Sequence, residues 1–215
     1  MECVRAAAGR LAMDVSRRII AGIWLRFQTS SDNLADRLAL NRHQWWPSIT
    51  VGYLEDWNRT RAAEDMEFLD RTVVDWISWS GRAPTLQNET STSANHQRDW
   101  LTLDAGIRLG CWTSAFFVAA GTEIFRDSTL LLMVASLIDQ SAYITKFGGD
   151  SGNWAATDDQ GMLTAAIAFP ELTPSQVWFD TAIDRSLSSL RTDVYLDGVE
   201  DEMASGYGEI VAADL

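Results

Sequence analysis

The sequence of 215 residues predicts an all-α fold, and three observations point to that class. Apolar residues recur at three- and four-residue steps along nearly every long segment, which is the spacing of one face of a helix. No segment shows the sustained apolar–polar alternation of a strand. The apolar fraction of 47% is large enough to bury a core, which disfavours a disordered chain.

Three helices follow from this periodicity in the first two thirds of the chain. The first covers residues 54–79 and ends before a loop. The second covers residues 100–120 and stops at Gly121, and the third covers residues 127–146 and stops before Gly148. Glycine after the last periodic residue is a typical helix ending.

Two further helices begin at sequences that are typical of capped N-termini. Thr157 and Thr173 each stand three residues before a Gln, the arrangement of a capping box, and Pro174 occupies the favoured first helical position. They predict helices over about Asp158–Phe169 and Pro174–Val194. Short connections make sequential helices antiparallel neighbours, and both a toroid of helical hairpins and an irregular bundle fit this pattern.

The charge balance narrows the function. With 17 basic and 30 acidic side chains the net charge is −13, which argues against nucleic-acid binding because a phosphate backbone requires a basic surface. The start at Met1 lacks the order of a signal peptide, and the longest strongly apolar run, Leu130–Val134, is too short to span a bilayer. We therefore expect a soluble chain without a transmembrane segment.

Cysteine and histidine are scarce. Cys3 and Cys111 form no disulfide framework, and His43 and His96 are too far apart in sequence to indicate a metal cage. We therefore expect neither a metal site nor a cofactor in this chain.

A glycine-rich segment, Lys146–Thr157, holds the first cluster of unusual residues. Asn153 and Trp154 follow its glycines and stand beside a predicted helix N-terminus, where free N–H groups and the helix dipole favour anions. The alternative is an ordinary helix–helix loop in which Asn153 makes a turn.

A second cluster covers Val194–Tyr207 and ends with a tyrosine between two glycines. The neighbouring glycines would leave the Tyr207 hydroxyl accessible, although a loop tyrosine covering a helix end has the same pattern. Glu200 and Glu202 allow a glycosidase-like acid pair, but paired acids on an acidic segment are usually solvated.

Four segments together resemble the N-terminal domain of heparinase II/III-type polysaccharide lyases. They are Trp100–Trp112, Gly152–Glu171, Trp178 and Val194–Tyr207. The resemblance is strongest over residues 100–207, half of the chain. It implies that residues 1–215 form an incomplete (α/α) toroid of antiparallel helical hairpins. The β-sandwich that follows in the family, with its catalytic His and frequent metal, is expected only in a full-length parent.

The resemblance also implies a reaction, the β-elimination of an acidic, uronate-containing polysaccharide of the glycosaminoglycan or alginate type. Asn153 matches the residue that neutralises the uronate carboxylate, and Tyr207 matches the catalytic tyrosine that acts as acid, with a second role as base left open. Arg108 would favour the phenolate or bind a substrate carboxylate, and a salt bridge on the helix surface is an equal alternative.

Other residues are weaker candidates for contacts with the sugar. Trp154 offers an aromatic face, and His96 and Arg98 precede the matched helix, although a solvated loop is the more ordinary setting for His96. Trp45 and Trp46 form either a stacking platform or part of the core between helices, and core packing is the expected role of most of the ten tryptophans.

Several features depart from the family. Neither histidine falls in a matching motif, so no catalytic His is assigned, and Gly208 follows Tyr207 where a His is expected. The family is periplasmic or secreted, whereas the missing signal peptide favours the cytoplasm. The net charge favours a polymer less charged than heparin, or a local cluster of Arg98 and Arg108. An inactive glycan-binding fragment and a helical interaction module remain as alternatives.

Overall fold

A computed structural model describes residues 41–55, 59–80, 100–149 and 151–195, and these form six helices. In chain order the helices are α1 Trp46–Glu55, α2 Arg59–Ser80, α3 Thr102–Ala120, α4 Asp127–Phe147, α5 Gly152–Ala168 and α6 Ser175–Thr192. The predicted all-α class is confirmed for this part of the chain.

The helices form three hairpins that are arranged in two layers. The pairs α1–α2, α3–α4 and α5–α6 pack against each other, α3 also contacts α1 and α5, and α4 also contacts α2 and α6. The odd-numbered helices therefore make one layer and the even-numbered helices the other. This order is that of an arc of an (α/α) toroid, as expected.

The two layers enclose a core in which tryptophan is the dominant large side chain. Five tryptophans expose no more than 2% of their surface: Trp46, Trp76, Trp100, Trp112 and Trp178. They pack with aliphatic residues such as Leu69, Met133 and Ile144. The expectation that most tryptophans serve packing is confirmed for these five.

Helices α3 and α5 touch through their backbones. A Cβ atom on Gly161 would lie 2.7 Å from the carbonyl carbon of Gly106, and one on Gly106 would lie 2.6 Å from the carbonyl oxygen of Thr157. Real Cβ atoms do not approach backbone so closely, so both positions require glycine. The two helices consequently cross in close contact at this point.

Helix boundaries agree with the prediction for α3 and α4 within about two residues, but the starts of other helices differ. The predicted helix over residues 54–79 is split, because Leu54 lies in α1 and α2 begins at Arg59. Helix α5 begins at Gly152, so Thr157 lies inside it and its hydroxyl donates to the Asn153 carbonyl, 3.1 Å away. The capping box predicted at Thr157 is therefore wrong.

The prediction of a capping box at Thr173 is also wrong, although the helix predicted to follow it is present. The N-cap residue of α6 is Pro174, and no side chain caps this end. The Ser175 hydroxyl instead donates to the Phe169 carbonyl at 2.6 Å, which fixes the turn between α5 and α6.

Helix α4 is long and apolar enough to cross a membrane if only length and composition are considered. In this fold Met133, Leu137 and Ile144 of α4 are fully buried against neighbouring helices. A core helix passes the same test, so the length and composition of α4 are weak evidence for a membrane span.

Candidate functional site

The candidate site lies at the end of the layers where the odd-numbered helices begin and the even-numbered helices end. Contacts across each hairpin establish this arrangement. The His43 ring meets Trp76 near the end of α2, and Trp100 meets Tyr143 near the end of α4. The backbone N–H of Gly152, at the start of α5, donates to Asp193 at the end of α6.

The start of α5 presents two of the predicted site residues. We call residues 148–149 and 151–154 the α5 start. Asn153 is half-buried in the first turn of the helix, and Trp154 beside it is 49% exposed. The expected exposure of Trp154 is confirmed, while the roles of both residues toward a ligand stay predictions. A helix N-terminus with an amide and an aromatic face is suited to an anionic sugar.

A buried carboxyl lies one turn below Trp154. Asp158 is fully buried. Burial raises the pKa of Asp158 to about 7, although the Thr102 hydroxyl, Arg185 and the Gly149 N–H counteract this rise. A carboxyl with so high a pKa is partly protonated near neutral pH.

The next residue, Asp159, is buried too and forms an ion pair with Arg185 of α6. Arg185 Nε donates to Asp159 Oδ1 at 2.7 Å, and Arg185 Nη1 donates to the Ile144 carbonyl at 3.2 Å. The predicted helix start at Asp158 is wrong, because α5 begins at Gly152, so Asp158 and Asp159 lie inside the helix, and both are buried. The sequence offered no signal for this burial apart from the glycine and alanine residues around them.

Arg108 lies in the interior of the fold. Its Nε donates to Gln140 Oε1 at 2.9 Å, and its Nη1 donates to the Asn41 carbonyl at 3.0 Å. The guanidinium lies 4.8 Å from the Trp76 ring centre and 5.4 Å from that of Trp100. A salt bridge on the helix surface is therefore excluded, and a role of Arg108 toward substrate stays a prediction.

His43 forms an aromatic cluster with Trp46, Trp76 and Trp112. Its ring stacks on Trp46 with centres 4.2 Å apart, and its Nδ1 accepts a hydrogen bond from Trp112 Nε1 at 2.7 Å. Burial, together with the charge of Arg108, keeps the pKa of His43 well below its ordinary value, so the ring is neutral. Its φ of 55° is unusual for a residue other than glycine.

This cluster decides between the two interpretations of Trp45 and Trp46. Trp46 is fully buried and Trp45 is half-buried against Phe68, so the pair belongs to the core rather than to a stacking platform. Sequence reasoning gave no role to His43, and the crowding of tryptophans near it was the available signal.

Three predicted site residues, Tyr207, His96 and Arg98, lie outside the described residues, as do Glu200 and Glu202. Within the described ranges, no three His, Cys, Asp or Glu side chains are grouped so that they could hold a metal ion. Burial raises the pKa of the Cys111 thiol to about 11, so this cysteine is a poor nucleophile.

Comparison with known sequences places this chain beside the polysaccharide lyases. The model of the family described as heparinase II/III N-terminus matches residues 22–214. A heparin-sulfate lyase from Pedobacter heparinus is 23% identical over 179 residues, which are 83% of this chain and 25% of that protein. A heparin-sulfate lyase from Bacteroides stercoris is 22% identical over 180 residues, which are 80% of this chain and 26% of that protein.

Solved structures agree with this placement. The crystal structure of a heparan sulfate lyase from Pedobacter heparinus superposes with a TM-score of 0.64 and 20% identity, covering 79% of this chain and 25% of that one. A heparinase III with methylated lysines gives a TM-score of 0.69 at 20% identity, covering 86% of this chain and 29% of that one. At this identity the structures show the fold, and the chain spans about a quarter of the length of these relatives.

Proposed function

The chain belongs to the heparinase II/III N-terminal family, and from this premise we propose that it supplies part of a polysaccharide lyase site. The substrate is a uronate-containing glycosaminoglycan, and the reaction is β-elimination. The two curated relatives are named heparin-sulfate lyases, which favours a sulfated polymer over the less charged one expected from the net charge. We also propose a periplasmic or secreted location, which rests on the family resemblance alone.

The chemistry makes three demands on the protein. A base removes the proton alpha to the uronate carboxyl, and the electron pair forms a double bond as the 4-linked oxygen leaves with a proton from an acid. The carboxylate must also be neutralised, because negative charge spreads onto it as the proton departs. Groups placed to receive that charge stabilise the transition state.

Asn153 is the proposed neutralising residue, and its position is the observation that carries the proposal. It lies half-buried in the first turn of α5, at the end of the helix where backbone N–H groups have no partners within the helix. The side-chain amide and these N–H groups, together with the positive end of the helix dipole, favour a carboxylate there. Trp154 lies next to Asn153 with half of its surface exposed, which suits stacking against a sugar ring.

Tyr207 is the proposed acid, and it serves as base if its phenolate is populated. The pKa of a free phenol is about 10, so a base of this kind requires a nearby cation. The Arg108 guanidinium is enclosed by Gln140, Trp76 and Trp100, which makes Arg98 the better candidate for that cation. His96 remains a candidate contact to the polymer.

Incubation of this chain with heparan sulfate tests the proposal through the unsaturated uronate product, which absorbs in the near ultraviolet. We expect Asn153→Ala to slow product formation by about 100-fold or more, and Tyr207→Phe to abolish it. Gln176→Ala, on the exposed face of α6, is the control and should retain full activity. Near wild-type rates in both site variants would refute the proposed roles.

Glycan binding without turnover is the second candidate function. The half-exposed Trp154 favours it, because a stacking face binds sugar without any base or acid. In that case calorimetry should show binding of heparan sulfate oligosaccharides that Trp154→Ala weakens, while no unsaturated product forms. Absence of both binding and product would exclude both candidates.

A further inference from the structure

Asp193 lies at the end of α6, and both of its carboxylate oxygens accept hydrogen bonds. Its Oδ2 accepts from the Gly152 backbone N–H at 2.9 Å and from the Ser189 hydroxyl, and its Oδ1 accepts from the Thr192 hydroxyl at 2.7 Å. The residue is 5% exposed. Burial acts to raise the pKa of Asp193, but these three donors outweigh it and hold the pKa below its ordinary value.

The hydrogen bond to Gly152 acts as a cap on another helix. The first N–H groups of any helix lack partners inside that helix, and a side chain at the N-cap position usually satisfies one of them. Ser151 holds the N-cap position of α5 but makes no such bond. Asp193, which lies 41 residues further along the chain, supplies the acceptor instead.

The cap acts at a position where the backbone is unusual. Gly152 has a φ of 77°, in the left-handed region that only glycine adopts readily. The direction in which α5 begins, and hence the direction of the Asn153 side chain, depends on this one residue. A charged acceptor on its N–H holds that conformation more strongly than a neutral one would.

A second contact from α6 holds the other side of the α5 start. Arg185 bonds to the Ile144 carbonyl and to Asp159, and a Cβ on Gly148 would lie only 2.6 Å from Arg185 Nη1. Helix α6 therefore contacts the segment before Asn153 at two positions: Arg185 lies against Gly148, and Asp193 accepts a hydrogen bond from Gly152. Neither side chain is exposed at the surface that Trp154 presents.

We propose that Asp193 is a positioning residue for Asn153, because its carboxylate fixes the Gly152 N–H from which α5 and the Asn153 side chain take their direction. The inference rests on the proposed function for the part that concerns catalysis. A displacement of about 1 Å in a group that stabilises a transition state lowers the rate severely, while substrate binding depends on many other contacts.

Amide hydrogen exchange and the Asn153 side-chain NMR signals test the positioning without any substrate. In Asp193→Ala we expect the Gly152 amide to exchange at least tenfold faster and the Asn153 side-chain signals to shift. Asp193→Asn keeps a neutral acceptor and should show a smaller change in the same direction. Asp180→Ala removes an exposed carboxylate from the same helix and should leave both readouts unchanged.

Turnover separates positioning from simple stability. If the chain forms the unsaturated product, Asp193→Ala should lower kcat at least tenfold with KM changed less than twofold, and Asp193→Asn should recover part of kcat. A wild-type chain without turnover or binding would refute the proposed function. The exchange and NMR results would still show whether Asp193 positions Asn153. Unchanged Gly152 exchange and Asn153 signals in both Asp193→Ala and Asp193→Asn, or a rise in KM alone, would overturn the inference.

Discussion

The aromatic cluster and the α5 start contain similar residue types but have opposite relations to solvent. The aromatic cluster packs His43 against Trp46 and Trp112, with at most 2% of each side chain exposed. At the α5 start Trp154 is half exposed, and polar contacts from α6 hold the backbone beneath it. Tryptophan beside polar residues therefore belongs to the core in one place and to the solvent-exposed surface in the other.

The two regions also differ in how they treat charge. In the aromatic cluster burial keeps the pKa of His43 low, and the charge of the buried Arg108 adds to that effect. Around the α5 start the charged groups are Asp158, Asp159 and Asp193, and all three are buried. One is partly protonated near neutral pH, one is paired with an arginine and one accepts three hydrogen bonds.

This difference changes how the net charge of −13 bears on the substrate. Among the described acids of this region, Asp158 is partly protonated near neutral pH and Asp159 is paired with Arg185, so these two repel an approaching polyanion less than free carboxylates would. The formal charge is then a weaker argument against a sulfated polymer than the sequence suggests.

Removing one tryptophan from each region should give the largest contrast. Trp112→Ala leaves a cavity and deprives His43 Nδ1 of its donor, so we expect the free energy of unfolding to fall by about 3–5 kcal/mol. Trp154→Ala should lower it by less than about 1 kcal/mol, because half of that side chain is already in water. Denaturant unfolding of both variants measures the difference.

Equal losses in the two tryptophan variants would contradict the distinction between the regions. A folded Trp112→Ala protein with wild-type stability would show that the aromatic cluster does not hold the layers together. Trp112→Phe serves as the matched control, since it keeps an aromatic ring and removes only the indole N–H and part of the volume.

The contact between α3 and α5 at Gly106 and Gly161 should be the next most sensitive to substitution. Gly161→Ala forces a Cβ against the Gly106 backbone, and α3 and α5 must separate to admit it. We expect a loss of about 3 kcal/mol in the free energy of unfolding. Gly110→Ala is the matched control, since its Cβ would meet only Gln160 Oε1 at 3.9 Å and alanine favours a helix.

A Gly161→Ala protein as stable as Gly110→Ala would mean that the two helices can move apart at little cost, and that the close backbone contact at Gly106 is not required. Heteronuclear NMR of the folded fraction adds a second readout, because displacement of α5 should shift the Gly152 amide signal.

The sequence predicted helix existence well and helix starts poorly, for a physical reason. Periodicity of apolar residues reports which face is buried, and α3 and α4 follow it closely. The start of α5 depends on Asp193, which lies on another helix, and local caps such as Thr157 give no sign of that contact. Capping motifs describe local chemistry, whereas this N-terminus is satisfied by tertiary structure.

The candidate site was predictable to a similar extent. The place of Asn153 and the exposure of Trp154 followed from a glycine-rich segment beside a helix N-terminus. The burial of Arg108 and Asp158 did not follow, because charged residues are rarely placed in a core and their partners come from distant segments. Gln140 and Asn41, which accept hydrogen bonds from Arg108, are far from it in sequence.

Titration of Asp158 should give the smallest of these effects. Its pKa rises from the ordinary value of 3.8 to about 7 in the folded chain, chiefly through burial, so between those values the folded state binds more protons than the unfolded state. The free energy of unfolding therefore falls as pH rises through this window. Asp158→Asn removes this proton uptake, and between pH 5 and pH 8 the variant should lose about 2 kcal/mol less stability than the wild type.

Unfolding curves at both pH values measure this effect, with Gly110→Ala as a control that keeps Asp158 and should therefore run parallel to the wild type. If the Asp158→Asn curve also runs parallel, the carboxyl is charged throughout, and the α5 start carries a negative charge beneath Trp154. A flatter curve means that the Asp158 carboxyl is protonated below its raised pKa and adds less negative charge beneath Trp154. Asn153, the α5 N-terminus and Trp154 would then offer hydrogen-bond donors and an aromatic face to a uronate, with less repulsion from the Asp158 carboxyl.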